Sequence, residues 1–241
     1  GNWQPYSGST SILERPQGLI LSADGTSGIK LDEVEDIALP LYQGVMIWQF
    51  DFSASSYLSG ASNQAKWQRN KWNNNKILSS QFLMSRNNHI EKSKTNRGIR
   101  LIFRDISNAT NQRSIVSAIV PDFPCSNKNP ILTPNGSFIE KIKLCSILNS
   151  FVLDFALRNR FGGTTLNYFI LQEISLPNLK SVNNKITSIT VSLSLVKNIF
   201  AIEWIQLLNS LFYDYKNSWY QLWAITPYER LRLQCILDAV I

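Results

Sequence analysis

The chain is almost without histidine: His89 is the only one in 241 residues. It lies among asparagines, so catalysis by paired histidines and multi-histidine metal sites are nearly excluded. Cysteine is scarce as well. Cys125, Cys145 and Cys235 are far apart and form no CxxC pair. That argues against a disulfide scaffold and a structural zinc site, and it favours a reducing, cytoplasmic setting. GxSxG, Walker and GxGxxG signatures are absent, which removes the motif-level case for an α/β-hydrolase, a P-loop enzyme or a dinucleotide enzyme. Long apolar runs are missing too. The most apolar stretch, 191–212, is interrupted by Lys197 and Glu203 and reads as core rather than as a membrane span. The polar opening Gly1-Asn-Trp-Gln-Pro5 is not a signal peptide. Gly1 reads as a tag-cleavage scar, and the chain stops inside an apparent helix, so both ends suggest a piece of a longer protein.

What is present is positive charge, unevenly placed. Between Ala61 and Arg100 stand nine cations (Lys66, Arg69, Lys71, Lys76, Arg86, Lys92, Lys94, Arg97, Arg100) and one acid, Glu91. Nine cations against one acid leave +8, while the whole chain nets +7, so the rest is close to neutral. The same segment holds Trp67, Trp72 and eight asparagines, among them Asn73–Asn75. Cations neutralise phosphates, amides read base edges and aromatics stack, a combination suited to nucleic acid. A solvated, soluble loop is the plainer account of the same residues.

A 44% hydrophobic and 17% charged composition is that of a globular protein. The pattern predicts an α+β fold: a strand- and loop-rich recognition half, residues 1–135, then a helix-rich supporting half, 136–241. Short strands are expected at 18–21 and within 39–50, and a short helix from about Gln64 to Arg69. The apolar runs 99–106 and 113–120, joined by turn-forming residues, should be an antiparallel pair. Apolar spacing predicts one helix from Phe138 to Arg160, stopped by Gly162-Gly163. A strand is expected at Leu166–Leu171. Further helices are expected from about Leu195 to Asp214 and from Pro227 onward.

Few residues suggest chemistry. Pro121-Asp122, followed at Glu140 by Lys141 and Lys143, faintly resembles a nuclease metal site, but ExxK on a helix is better explained as helix surface. Trp204, Trp219 and Trp223 lie among helical apolar residues and are expected in the core. Arg104, Asp105 and Arg113 remain open between a structural ion pair, the commoner outcome on neighbouring strands, and DNA contacts.

Four segments in order (39–51 with its Gln49-Phe-Asp51 element, 100–121, 148–155 and 162–177) and the tail 229–240 resemble one family. They look like the specificity region of adenine-methylating, Eco57I-like, type IIG restriction–modification enzymes, whose target-recognition domain is similar to that of the TaqI methyltransferase. The resemblance spans about 39 to 241. It departs from the family in lacking an Asn-Pro-Pro-Tyr motif, a Gly-rich S-adenosylmethionine loop and a basic residue in Phe52-Ser-Ala-Ser55. It implies sequence-specific binding of double-stranded DNA by a recognition end without a catalytic centre or metal site. A methyltransferase domain of the same parent chain, with or without a nuclease domain, would supply S-adenosylmethionine and magnesium chemistry. Lys66, Arg69, Lys71, Arg97 and Arg100 are the expected DNA-binding residues. A metal-dependent nuclease and a protein-interaction domain of a larger defence system are the alternatives.

Overall fold

The computed structural model describes residues 2–22, 24–73, 76–93, 98–108, 110–134, 137–160, 162–212 and 218–241. The fold is α+β, with strands concentrated early in the chain and helices late. Two compact units are formed by Gly1–Leu39 with Met84–Lys94, and by Pro40–Leu83 with Thr95–Ile241. The change from strand to helix near residue 135 is thus one of composition; the compact units divide the chain elsewhere.

In the first unit, Ser27–Lys30 is the centre of a small antiparallel sheet between Gln4–Pro5 and Leu19–Leu21, with Ile20 opposite Ile29. Asp32 and Glu33 lie in an exposed 3-10 turn, Leu31–Glu33. Asp36, shortly after it, accepts hydrogen bonds from the Ser85 hydroxyl and the Asn87 amide. Ser85 in turn caps the helix Arg86–Lys92 through the Asn88 amide. His89 is buried on that helix.

The second unit is built on a three-stranded antiparallel sheet. Arg100–Phe103 is central, with Ser117–Val120 on one side (Arg100 opposite Val120) and Ile131–Leu132 on the other. The antiparallel pair is therefore as expected, with shorter strands. Every residue of the first two is buried, which accounts for their unbroken apolar character. The helices Phe138–Leu148 and Asn184–Ser194 pack against each other, and the first also covers the sheet. Pro227–Val240 packs on Asn184–Ser194, with Thr226 capping the Glu229 amide and Pro227 in the first turn. Trp204 and Trp223 are buried and Trp219 packs against them, as expected of core tryptophans.

Four expectations change. The predicted helix from Phe138 to Arg160 is two helices, Phe138–Leu148 and Phe151–Arg158. The break falls at Asn149-Ser150. Asn149 accepts from the Ser117 amide and donates to the Ser117 carbonyl, both at 3.0 Å, like an extra strand residue, and Ser150 caps the second helix. Residues 166–171 are not a strand: Thr165 makes one bridge to Ile106 and the chain then turns into the helix Tyr168–Gln172. A short apolar run cannot by itself distinguish these states. Gln64–Arg69 is not a helix: Ser62–Gln64 is a 3-10 turn and Lys66–Arg69 a strand paired with Ser55–Ser59. Finally, the helix expected from Leu195 to Asp214 is Ala201–Leu208 after a 3-10 turn, preceded by Asn184–Ser194; Asp214 lies outside the described residues.

Candidate nucleic-acid interface

The site begins with a turn. Trp48 and Asp51 exchange both backbone hydrogen bonds around Gln49-Phe50, and Phe50 takes φ = 58°. A left-handed aromatic residue costs about 1–3 kcal/mol unless its surroundings hold it there. Here they do. The Phe50 amide donates to the Ser117 carbonyl, Arg230 donates to the Phe50 carbonyl at 3.2 Å, and the Gln49 amide group donates to the Asn149 carbonyl at 3.1 Å. The turn fixes Trp48, partly exposed, beside Arg104 and Arg69, whose guanidinium carbons lie 5.1 and 6.0 Å from the indole centre. Arg104 is held there by donating to the carbonyls of Gly44 and Ile47, and burial lowers its pKa.

A second tryptophan sits differently. The Lys76 ammonium is 3.2 Å and the Arg230 guanidinium 3.4 Å from the centre of Trp72. At those distances two cations need opposite faces of the ring. Lys76 also donates to both oxygens of Asp51 at 2.6 Å and is only 2% exposed. Burial pulls its pKa down to about 8 against the opposing pull of Asp51. Arg230, lowered by burial to about 10, spans the Leu193, Ala224 and Phe50 carbonyls. Lys76, Trp72, Asp51 and Arg230 are thus a closed structural cluster.

Three depressions adjoin along Trp48 and Arg104. One of about 750 Å³ lies between Trp48, Arg69, Lys71 and Trp72 on one side and the helix residues Pro227, Leu231 and Gln234 on the other. A recess of about 230 Å³ shares Trp48 with it and includes Arg104, Asn111, Gln112 and Arg113. A third, of about 680 Å³, shares Arg104, Ile106 and Asn111 and ends at Gln43, Asn127 and Lys128. Among the described residues, the charged ones lining this trough are Arg69, Lys71, Arg104, Arg113, Lys128 and Arg230, with Asp51 the single acid, and Asp51 is engaged by Lys76. A cleft lined by one sign of charge concentrates the field on whatever enters it.

The expected DNA-binding residues separate on this map. Arg69 and Lys71 are exposed and line the trough. Lys66 is exposed but lies three residues before Arg69 on the same strand, so the two point to opposite faces. Arg100 is corrected: it is buried, and its guanidinium grips Asp122 at 2.7 and 2.9 Å. Arg97 lies outside the described residues. Of the undecided trio, Asp105 pairs with Lys128 at 3.2 Å and Arg113 with Asp238 at 3.7 Å, while Arg104 stacks at Trp48. Trp67 packs edge-on against Tyr57. Glu140 stands in the first turn of its helix, and Lys141 and Lys143 donate to the carbonyls of Ile99 and Leu179, consistent with a helix surface. Among the described residues no three of His, Cys, Asp and Glu gather. Sequence reasoning missed Arg230 and Lys128, which reach the trough from distant segments. In the sequence Trp48 stands out only as part of the 39–51 segment, where nothing marks its two arginines.

No helix among the described residues is long and apolar enough to cross a membrane. Comparison of the chain with protein-family models, curated proteins and solved structures gives no match.

Proposed function

We propose that this chain binds double-stranded DNA as the target-recognition part of an adenine-specific restriction–modification methyltransferase acting in the cytoplasm. The observation that carries the reading is the trough itself: one row of cations, interleaved with Trp48 and the amides of Gln43, Asn111, Gln112 and Gln234, in which the neighbouring acids Asp51, Asp105 and Asp238 are paired with Lys76, Lys128 and Arg113 and leave Arg69, Lys71 and Arg104 in excess. Cations there position a phosphate backbone, and amides on fixed loops read bases. The order of segments 39–51, 100–121, 148–155 and 162–177 supports placing the module in that family. An exposed apolar face on Phe151, Val152 and Phe155 accompanies the trough, so it does not by itself favour a protein-interaction domain.

Catalysis is assigned to a methyltransferase domain elsewhere in the parent chain, which would use S-adenosylmethionine and, for cleavage, magnesium. The chain alone should therefore leave duplex DNA unmethylated and uncut when incubated with both. The binding function is tested by titrating a fluorescent duplex with the chain. Saturable binding, competed by duplex DNA at low salt, is expected. Absence of binding at low salt, both for the chain and for the parent enzyme, would reject the reading.

A further inference from the structure

We propose that Asn111 and Gln112 are base-reading residues of the trough and that they recognise an adenine through its major-groove edge; this rests on the DNA-binding reading above. Both side chains are exposed, line the 230 Å³ recess between Trp48, Arg104 and Arg113, and have no side-chain hydrogen bond among the described residues. Their backbone, in contrast, is clamped. Arg158 donates to the carbonyls of Asn111 and Gln112 at 2.7 and 2.9 Å. The Asn111 amide donates to the Asn108 carbonyl, and the Thr110 amide to the Asn108 side chain. Just beyond, the amides of Ser114 and Ile115 donate to Asp154 at 2.6 and 3.2 Å, and Asp154 is itself bound by Arg158. One pair of side chains on the helix Phe151–Arg158 therefore fixes both ends of the segment, leaving two uncommitted amides at a defined place. That is what base readout needs: a rigid support under a free polar group.

The chemistry selects the base. A carboxamide offers a donor and an acceptor side by side, matching the N7 acceptor and N6 donor of adenine; guanine offers two acceptors and calls for an arginine or lysine fork. Arg104, one of the two arginines lining the recess, has two donors held by the carbonyls of Gly44 and Ile47, so it supplies charge and stacking rather than a free fork. Arg113 is turned onto the Phe151 ring and toward Asp238.

The test is selection of bound duplexes from a random-sequence pool, with the chain and with N111A/Q112A. The unmodified chain is expected to enrich an adenine at a fixed position. The double variant should keep its melting temperature and its affinity for unrelated duplex, and lose about ten- to hundredfold discrimination at that position only. Replacing the selected adenine by 7-deazaadenine, which lacks the N7 acceptor, should weaken the unmodified chain and leave the variant unaffected. An unchanged preference in the variant, or relaxation at a G·C position instead, overturns the inference while leaving DNA binding intact. Failure of the unmodified chain and the parent enzyme to bind any duplex rejects the DNA reading itself.

Discussion

Trp48 and Trp72 wall the same depression, and each has two cations on its ring, yet they are opposites. At Trp72 the cations are at 3.2 and 3.4 Å, the ammonium is buried, and Asp51 neutralises it. At Trp48 the guanidinium groups stand off at 5.1 and 6.0 Å, Arg69 is exposed, and no acid lines the recess beyond. Tight stacking with a buried counter-ion is architecture. Loose stacking with excess charge is a surface still able to take a partner. The basic segment that stands out in the sequence thus contains both kinds of cation, and only one kind supports the proposed function.

The comparison breaks most visibly through Asp51. Asp51→Ala leaves the Lys76 ammonium buried against one face of Trp72 with no counter-ion, and removal of one member of such a pair costs about 3–5 kcal/mol. Denaturant unfolding should show that loss, whereas Arg69→Ala at the Trp48 end should stay within about 0.5 kcal/mol of the unmodified protein. Asn149→Ala, which orphans the Ser117 amide, leaves the Ser117 carbonyl to the Phe50 amide alone and loosens the support of the Trp48 turn, should cost about 1–3 kcal/mol in the same assay.

A smaller effect is expected from pH. In the unfolded chain Lys76 holds its proton to about 10.5, while in the folded protein it releases it at about 8. Between these values the unfolded state binds more protons, so this group's contribution to stability rises with pH across the window and is absent below it. Lys76→Met should remove that rise, seen as a flatter dependence of the unfolding midpoint between pH 8 and 10.5. A Lys76→Met protein with the same rise would place the titration elsewhere.

The sequence made part of this legible. The buried strands Arg100–Phe103 and Ser117–Val120 are unbroken apolar runs with turn residues between them, and Pro227 behind Thr226 marks a helix start. Asn149-Ser150 carried a cap signal that the apolar spacing on either side obscured: the same hydrophobic period runs through both helices, and only the side-chain bond to Ser117 shows why they part. Charge order along the chain was least informative. Lys71 and Lys76 are neighbours in sequence, but one is exposed in the trough and the other is sealed against Asp51, because Asp51 and Arg230 arrive from 25 and 154 residues away. Arg100 belongs to the basic stretch in sequence, but in the fold it is neutralised by Asp122, on the loop after the partner strand.

Lys66 gives the smallest expected change. It faces away from Arg69, so Lys66→Ala should leave the salt dependence of DNA binding nearly as it was. The most direct test of the account replaces Arg69 and Lys71 together by alanine and follows affinity for a duplex as salt is raised, in this chain and in its parent enzyme. Each phosphate contact releases condensed counter-ions and adds about 0.9 to the slope of log affinity against log salt. The account predicts that the double variant binds all sequences more weakly and that its slope is shallower by roughly two units. An unchanged affinity with an unchanged slope would contradict it and return these cations to the solvated surface.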